Sequence, residues 1–199
     1  MEDIINILKA SYKKNWITSR DGNISHKKAS KKKFSITPSG LRKHELKVSD
    51  FIQIAINKDG WEQLNNFNLK PSGEIELHYE IMKCVDKELF VVHLHPTNII
   101  SIMYSGINLF DLAREFPELS RYTKVANNTG LVPPLSIDLG DQCKKNLSFN
   151  NKTGCFDYDI VGIPNHGIVS IGSTVFDAFE HVERLEHISQ IVLSSKKIS

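Results

Sequence analysis

Two imidazoles separated by one apolar residue, His93-Leu94-His95, close the run Phe90-Val91-Val92-His93-Leu94-His95-Pro96. Side chains alternate between the faces of a β-strand, so residues two apart project the same way and both rings can reach one point. That spacing suits a divalent metal ion. Two histidines on a half-exposed strand also serve as plain surface residues, so the pair takes its meaning from further donors. His166 is one such donor: Asn165-His166-Gly167 forms a turn between the β-branched stretches 159–163 and 168–171, where a side chain can reach into a cleft. Glu74 is another. It follows Ser72-Gly73 at the start of a helical stretch, where a carboxylate either complements the helix dipole or points outward to a neighbouring site. His78, one helical turn on, shares its face and is either an alternative ligand or a partner that orients one.

Three histidines and one displaceable carboxylate make a coherent catalytic set. Nitrogen donors favour zinc, with Mn2+ or Co2+ as alternatives, and three firm ligands leave one position open. Glu74, displaced by substrate, becomes a general base beside an acidified C–H or O–H, while the metal polarises a carbonyl and stabilises the enolate that forms. A second set consists of short turns rich in small and hydroxyl residues: Gly22-Asn23, Thr37-Pro38-Ser39-Gly40 and Pro71-Ser72-Gly73. The last opens a helix whose free N–H groups favour a phosphate or carboxylate. No glycine-lysine phosphate loop and no GxGxxG occurs, which points away from nucleotides and toward a small phosphorylated or carboxylated substrate.

The elements that must position these residues follow from periodicity. Residues 2–15 place Ile4, Ile5, Leu8 and Tyr12 on one stripe of an amphipathic helix, and Asp21-Gly22-Asn23 is a turn. Short strands at 24–25 and 34–37 flank a lysine loop, 51–56 is a clearer strand, and a polar loop runs to Pro71-Ser72-Gly73. The spacing then predicts a helix over about 74–85 with Ser72 as N-cap, and the histidine strand at 89–95. Helices at 97–104 and 111–115, a strand near 130–133 and a helix after Ser136 come next. Two strands within 158–171 are broken at Pro164-Asn165-His166-Gly167. A terminal helix over about 173–193 turns Val175, Phe179, Val182 and Leu185 inward.

Bulk properties narrow the function classes. At 199 residues, 40% hydrophobic and 24% charged, the chain reads as an ordinary soluble globular protein with one domain over 1–199. A net charge of +2 is too small to imply nucleic acid, and the basic run His26-Lys27-Lys28-Ala29-Ser30-Lys31-Lys32-Lys33 is expected to be a solvated loop. Cys84, Cys143 and Cys155 are odd in number and widely spaced, which suggests neither a disulfide framework nor a thiolate site and fits a reducing cytoplasm. Glu2 and Asp3 stand where a signal peptide carries basic residues, and no apolar run approaches the roughly 18 residues of a membrane helix. A cytoplasmic location without a membrane partner is expected.

In order along the chain, Gly22-Asn23-Ile24-Ser25, Ile36-Thr37-Pro38-Ser39-Gly40, Pro71-Ser72-Gly73-Glu74 with His78, His93-Leu94-His95 and Asn165-His166-Gly167 resemble the class II aldolase/adducin family, over about residues 5–193. The resemblance implies an α/β/α sandwich with a mixed, mostly antiparallel sheet of nine or so strands. It also implies a fourfold homotetramer with active sites at subunit interfaces. Zinc would lie on His93, His95 and His166, with Glu74 as acid/base and resting ligand. The substrate phosphate would be cradled by Asn23, Ser39, Gly40, Ser72 and Gly73. The implied activity is cleavage of a small, fuculose-1-phosphate-like ketose phosphate, through a metal-stabilised enediolate, to dihydroxyacetone phosphate and an aldehyde. The same scaffold carries sugar-phosphate epimerases, methylthioribulose-1-phosphate dehydratases and the non-catalytic adducin head, which lacks the metal ligands.

Departures from the family pattern refine this. Ser72-Gly73-Glu74 stands where sugar-phosphate aldolases usually show Ser-Ser-Glu, which removes a charge-assisted hydrogen bond worth about 1.5–3 kcal/mol. The epimerase subgroup carries aspartate at the position of Glu74, which favours aldolase. Fuculose-type aldolases use tyrosines as proton donors, one from the C-terminal tail, whereas no tyrosine follows Tyr158 here and the tail ends in lysines and serines. Tyr122, by its spacing from Gly140, is the candidate for protonating the leaving alkoxide; a surface aromatic in a loop is the competing reading.

Overall fold

A computed structural model describes residues 1–195; the end of the tail, 196–199, lies outside the described residues. In chain order the elements are α1 (Glu2–Lys13), β1 (Asn23–Lys27), β2 (Lys33–Ile36), β3 (Ile52–Asn57), β4 (Gly60–Gln63), α2 (Ile75–Met82), β5 (Leu89–Leu94), α3 (Thr97–Tyr104), α4 (Leu109–Glu115), α5 (Pro117–Tyr122), α6 (Ile137–Leu147), β6 (Phe149–Asn150), β7 (Cys155–Phe156), β8 (Ile160–Ile163), β9 (Gly167–Gly172) and α7 (Val175–Ser195). Seven strands form one sheet in the order β4-β3-β2-β1-β5-β9-β8, and β6 pairs with β7 apart from it. Every neighbouring pair in the large sheet is antiparallel. Among the described residues, parallel pairing is confined to an isolated bridge between Val125 and Ile160.

Strand alternation decides the layers. Val92 and Leu94 of β5, with Ile24 and Ile168 beside them, pack beneath α1, α3, α4 and α7 around Leu8, Ile99, Leu109 and Val182. Val91 turns the other way and, with Phe34, Ile54, Val169 and Ile171, meets Leu77 and Ile81 of α2 and Leu139 and Cys143 of α6. The result is the expected helix–sheet–helix sandwich. Each such side chain contributes roughly 1.5–3 kcal/mol on full burial. A slip of one residue in β5 would exchange the two faces, so the two cores together fix the register that places His93 on the α2 side.

The structure departs from the sequence reading at identifiable places. Residues 130–133 form no strand: Pro133 and Pro134 have no N–H to give a ladder, and Leu131 and Leu135 are 78% and 60% exposed. β4 lies inside the stretch read as a polar loop; it is a half-buried strand at the sheet edge with little apolar alternation to announce it. Tyr122 ends a short helix, α5, and is not in a loop. Glu74, and not Ser72, holds the N-cap position of α2; Ser72 Oγ instead accepts from the Glu74 N–H at 3.3 Å, closing the turn before the helix. β1 reaches into the basic run, so Lys27 is buried rather than solvated. Its Nζ donates to the Met82 carbonyl at 2.9 Å and to that of Val85, satisfying acceptors at and just beyond the end of α2. Burial lowers the Lys27 pKa. All three cysteines are unpaired, and among the described residues no helix is long and apolar enough to cross a membrane.

Candidate metal centre and its cleft

The site assembles at one end of three adjacent strands, β1, β5 and β9. Register places Asn23 of β1 opposite His93 of β5, and His93 opposite Val169 of β9. His93 is fully buried, and its Nδ1–H donates to the Ile168 carbonyl at 2.8 Å. That bond leaves Nε2 with its lone pair directed into the site, the usual way a protein sets the tautomer of a metal-binding imidazole. His95 lies just past the strand end, its backbone N–H held by the Trp16 carbonyl at 2.9 Å. Its Nε2 is 2.9 Å from that of His93. Burial pushes the pKa of His93 from 6.5 down to about 3, with His166 adding to the effect, and does the same for His95 with help from His93 and His166. Both rings are therefore neutral donors. His166 arrives from the β8–β9 turn, where Asn165 takes the left-handed conformation at φ 60°. One donor atom from each histidine lies within 4.8 Å of the others.

Gly167 makes this convergence possible. A Cβ there would fall 2.4 Å from the Leu94 carbonyl oxygen, 2.7 Å from His95 Cδ2 and 3.3 Å from His93 Cε1. A Gly167→Ala variant is expected to lose about 1–3 kcal/mol of stability by overpacking and to bind divalent metal more weakly. Thermal melting and metal titration check both effects, and an alanine variant unchanged in both would remove this role from Gly167.

Glu74 closes the site from the start of α2. Its Oε2 lies 3.1 Å from His93 Nε2 and accepts from Asn23 Nδ2 at 2.7 Å. Its Oε1 lies 3.2 Å from His166 Nε2 but outside hydrogen-bonding geometry, which leaves a buried carboxylate oxygen without a donor. Such an atom costs more than about 1–3 kcal/mol unless something compensates it. Neutral nitrogen donors converging beside an uncompensated carboxylate oxygen fit a divalent cation. His78 takes no part in that cluster: its Nδ1 contacts Ser25 Oγ at 2.6 Å and its Nε2 contacts Asn23 Oδ1. Of the two readings open from sequence, its contacts leave the orienting one.

A cleft of about 280 Å³ opens beside the centre, lined by Asn23, Ser39, Ser72, Gly73, Glu74, His95 and His166. Gly40 is not part of this lining; with φ 77° it turns the chain behind Ser39. Tyr122 is not brought to the cleft either. It is 48% exposed beneath the guanidinium groups of Arg121 and Arg184, and it lines a separate groove with Leu119 and His187. Arg20, Asp21, Lys43 and Leu135 also line the cleft and were missed from sequence. Lys43 is buried, and its Nζ donates to the Pro38 carbonyl at 2.7 Å and the Leu41 carbonyl at 3.3 Å. Burial lowers its pKa from 10.5 to about 8, with Asp21 pulling in the opposite direction. Its only sequence signal was a position three residues beyond the Ser39-Gly40 turn in a lysine-rich chain. A Cβ at Gly73 would meet Leu135 Cδ2 at 3.2 Å, so Leu135 borders the space a serine would use.

Comparison with known proteins agrees with this fold. The chain matches the Class II Aldolase and Adducin N-terminal domain over residues 2–193. An L-fuculose phosphate aldolase of Methanocaldococcus jannaschii is 26% identical over 192 residues, spanning 96% of this chain and 94% of that protein. A methylthioribulose-1-phosphate dehydratase of Leptospira biflexa is 24% identical over 216 residues, spanning 96% and 95%. Among solved structures, an L-fuculose 1-phosphate aldolase shares the fold with a TM-score of 0.80 at 20% identity, over 100% of this chain and 86% of that one.

Proposed function

Because this chain belongs to the class II aldolase and adducin N-terminal domain family, we propose that it is a divalent-metal-dependent aldolase cleaving a small ketose phosphate to dihydroxyacetone phosphate and an aldehyde. The observation that carries this reading is Glu74, a nearly buried carboxylate set between His93 and His166 with one oxygen lacking a donor. His93, His95 and His166 would hold the ion, zinc by donor type, with Glu74 as the resting fourth ligand; when bound, the ion polarises the substrate carbonyl. Glu74 then acts as the base. It takes the proton from the hydroxyl of the carbon that becomes the aldehyde, the adjacent carbon–carbon bond breaks, and the electron pair stays on the phosphate-bearing fragment. The same carboxylate returns a proton to that fragment's carbon.

The phosphate is assigned to the cleft side of the centre. Ser39 and Ser72 offer hydroxyls, and Asn23 and the backbone around Gly73 complete the cradle. Lys43 and Arg20 supply the charge, which offsets the hydroxyl that Gly73 lacks. Lys43→Met is expected to raise KM for the phosphorylated substrate by roughly 10- to 100-fold, the equivalent of one charge-assisted hydrogen bond, with a smaller change in kcat. Lys43 is charged below its pKa of about 8 and neutral above it. KM in the parent protein should therefore be low below about pH 8 and climb above it, and the methionine variant should lose that climb. A KM unaffected by the substitution would take Lys43 out of the cradle.

Tyr122 does not line its own cleft, so we assign it to a neighbouring subunit's site in a fourfold homotetramer, whose mass sedimentation would report. The unpaired cysteines fit a cytoplasmic setting. Product identity tests the function itself. The purified protein should yield dihydroxyacetone phosphate and an aldehyde from at least one member of a panel of ketose 1-phosphates, ribulose 5-phosphate and methylthioribulose 1-phosphate. Dehydrated product alone would favour the second reading, a methylthioribulose-1-phosphate dehydratase, which the Leptospira relative supports at nearly equal similarity. Epimerised product alone would place the chain in the epimerase branch.

A further inference from the structure

The reaction described above leaves His78 without a task, although this histidine is fully buried behind the catalytic wall. It belongs to a chain of contacts: Ser25 Oγ to His78 Nδ1 at 2.6 Å, His78 Nε2 to Asn23 Oδ1, and Asn23 Nδ2 to Glu74 Oε2 at 2.7 Å. With Glu74 ionised, one placement of protons satisfies all three. A carboxylate only accepts, so the end of the Asn23 amide that meets Glu74 is the NH2. Its carbonyl oxygen therefore faces His78 and also only accepts, which puts the ring proton on Nε2. Nδ1 is then a lone pair, and the Ser25 hydroxyl donates to it. The donors run in one direction, from Ser25 through His78 and Asn23 to Glu74.

The backbone builds this chain by matching lengths. Asn23, Ser25 and Lys27 alternate onto one face of β1, spanning about 13 Å at roughly 3.3 Å per residue. α2 has eight residues, about 12 Å at 1.5 Å each. The three β1 side chains thus clasp α2 along its length: Asn23 at Glu74, Ser25 at His78, and Lys27 at the Met82 and Val85 carbonyls.

We propose that His78 is a positioning residue for Glu74, acting through Asn23: it fixes which end of the Asn23 amide meets the carboxylate and so holds Glu74 between His93 and His166. Without the Nε2–H donor the amide is free to turn over, and its carbonyl would then oppose the carboxylate. Both ends of the Asn23 amide are already engaged in this state, so Asn23 serves the base as much as any bound phosphate. The consequence for turnover rests on the reading of Glu74 as the base; the proton order does not.

The test has two parts. Nitrogen NMR on metal-loaded protein with labelled histidine should show His78 as the neutral Nε2–H tautomer with a bare Nδ1. An Nδ1–H tautomer or an imidazolium overturns the proposal, whatever the substrate proves to be. The second part compares His78→Leu, which removes the donor, with His78→Gln, whose amide places an N–H near the Nε2 position. The leucine variant should lose about tenfold or more in kcat, the range seen when a partner behind a metal ligand is lost, with KM moving less than about threefold. The glutamine variant should recover to within about threefold of the parent. Equal activity of the two variants, whether high or low, overturns the positioning role. The tautomer is read on the unaltered protein and without turnover, so it remains decisive if the leucine variant fails to fold or if the reaction is not aldol cleavage.

Discussion

Glu74→Gln is expected to leave the fold intact and to lower turnover by on the order of 10²- to 10⁴-fold, the usual contribution of a positioned general base. The substitution keeps the shape of the side chain, and the amide oxygen can still accept from Asn23 Nδ2, the contact that now measures 2.7 Å. It removes the charge and the ability to take up a proton. With that oxygen kept toward Asn23, it also places an NH2 where the carboxylate otherwise meets His166. The residual metal affinity should therefore be weaker than in the parent. Thermal melting reports the fold, and steady-state kinetics with exchange of the dihydroxyacetone phosphate C–H proton into solvent report the base. Unchanged proton exchange in the glutamine variant would remove Glu74 from the mechanism.

Loss of a metal ligand is the second large effect. His166 is the informative choice, because it projects from a turn and is partly exposed, whereas His93 is fully buried and its removal would also leave a cavity in the core. A His166→Ala variant should fold, lose divalent affinity by more than about 100-fold, beyond the 10- to 100-fold typical of an outer partner, and lose activity that excess zinc does not restore. The parent treated with a strong chelator should lose activity and regain it when zinc is added back. Metal content after dialysis and initial rates measure both. A parent protein that turns over undiminished in chelator, with no divalent ion bound, would sink the metal-dependent reading.

The donor set was legible in the sequence because each member carries a local signal: period-two spacing for His93 and His95, a turn between two strands for His166, and a helix start for Glu74. The sandwich was legible for the same reason, since apolar periodicity marks most of its elements. What escaped depends on register and packing. Lys43 reaches the cleft because the segment after Ser39-Gly40 folds back on itself, placing its Nζ on the Pro38 and Leu41 carbonyls. Lys27 looks like one more residue of a basic loop until β1 pairs with β5 and carries it beneath α2. The 130–133 stretch was misread in the other direction: Leu131-Val132 suggests a strand, but the prolines that follow have no N–H to pair. Tyr122 was placed by spacing alone, and spacing says nothing about which face of the molecule a short helix presents.

Apart from the His93–His95 pair, the contacts that hold the centre together are distant in sequence. Asn23 and Glu74 are 51 residues apart, Asn23 and His78 are 55, and His93 and Ile168 are 75. No fragment of the chain contains the site, and closing loops of this length is favourable only once the sheet that rewards them has formed. The centre is therefore a property of the completed fold and not of any one motif within it. An ion that binds there recognises the native state alone, so its binding energy is shared by every element of the sandwich. At a free concentration of about 100 times Kd this amounts to roughly 2.7 kcal/mol of added global stability, recorded by thermal melts with and without zinc. Cofactor supply would then help set how long the chain survives as well as how fast it works.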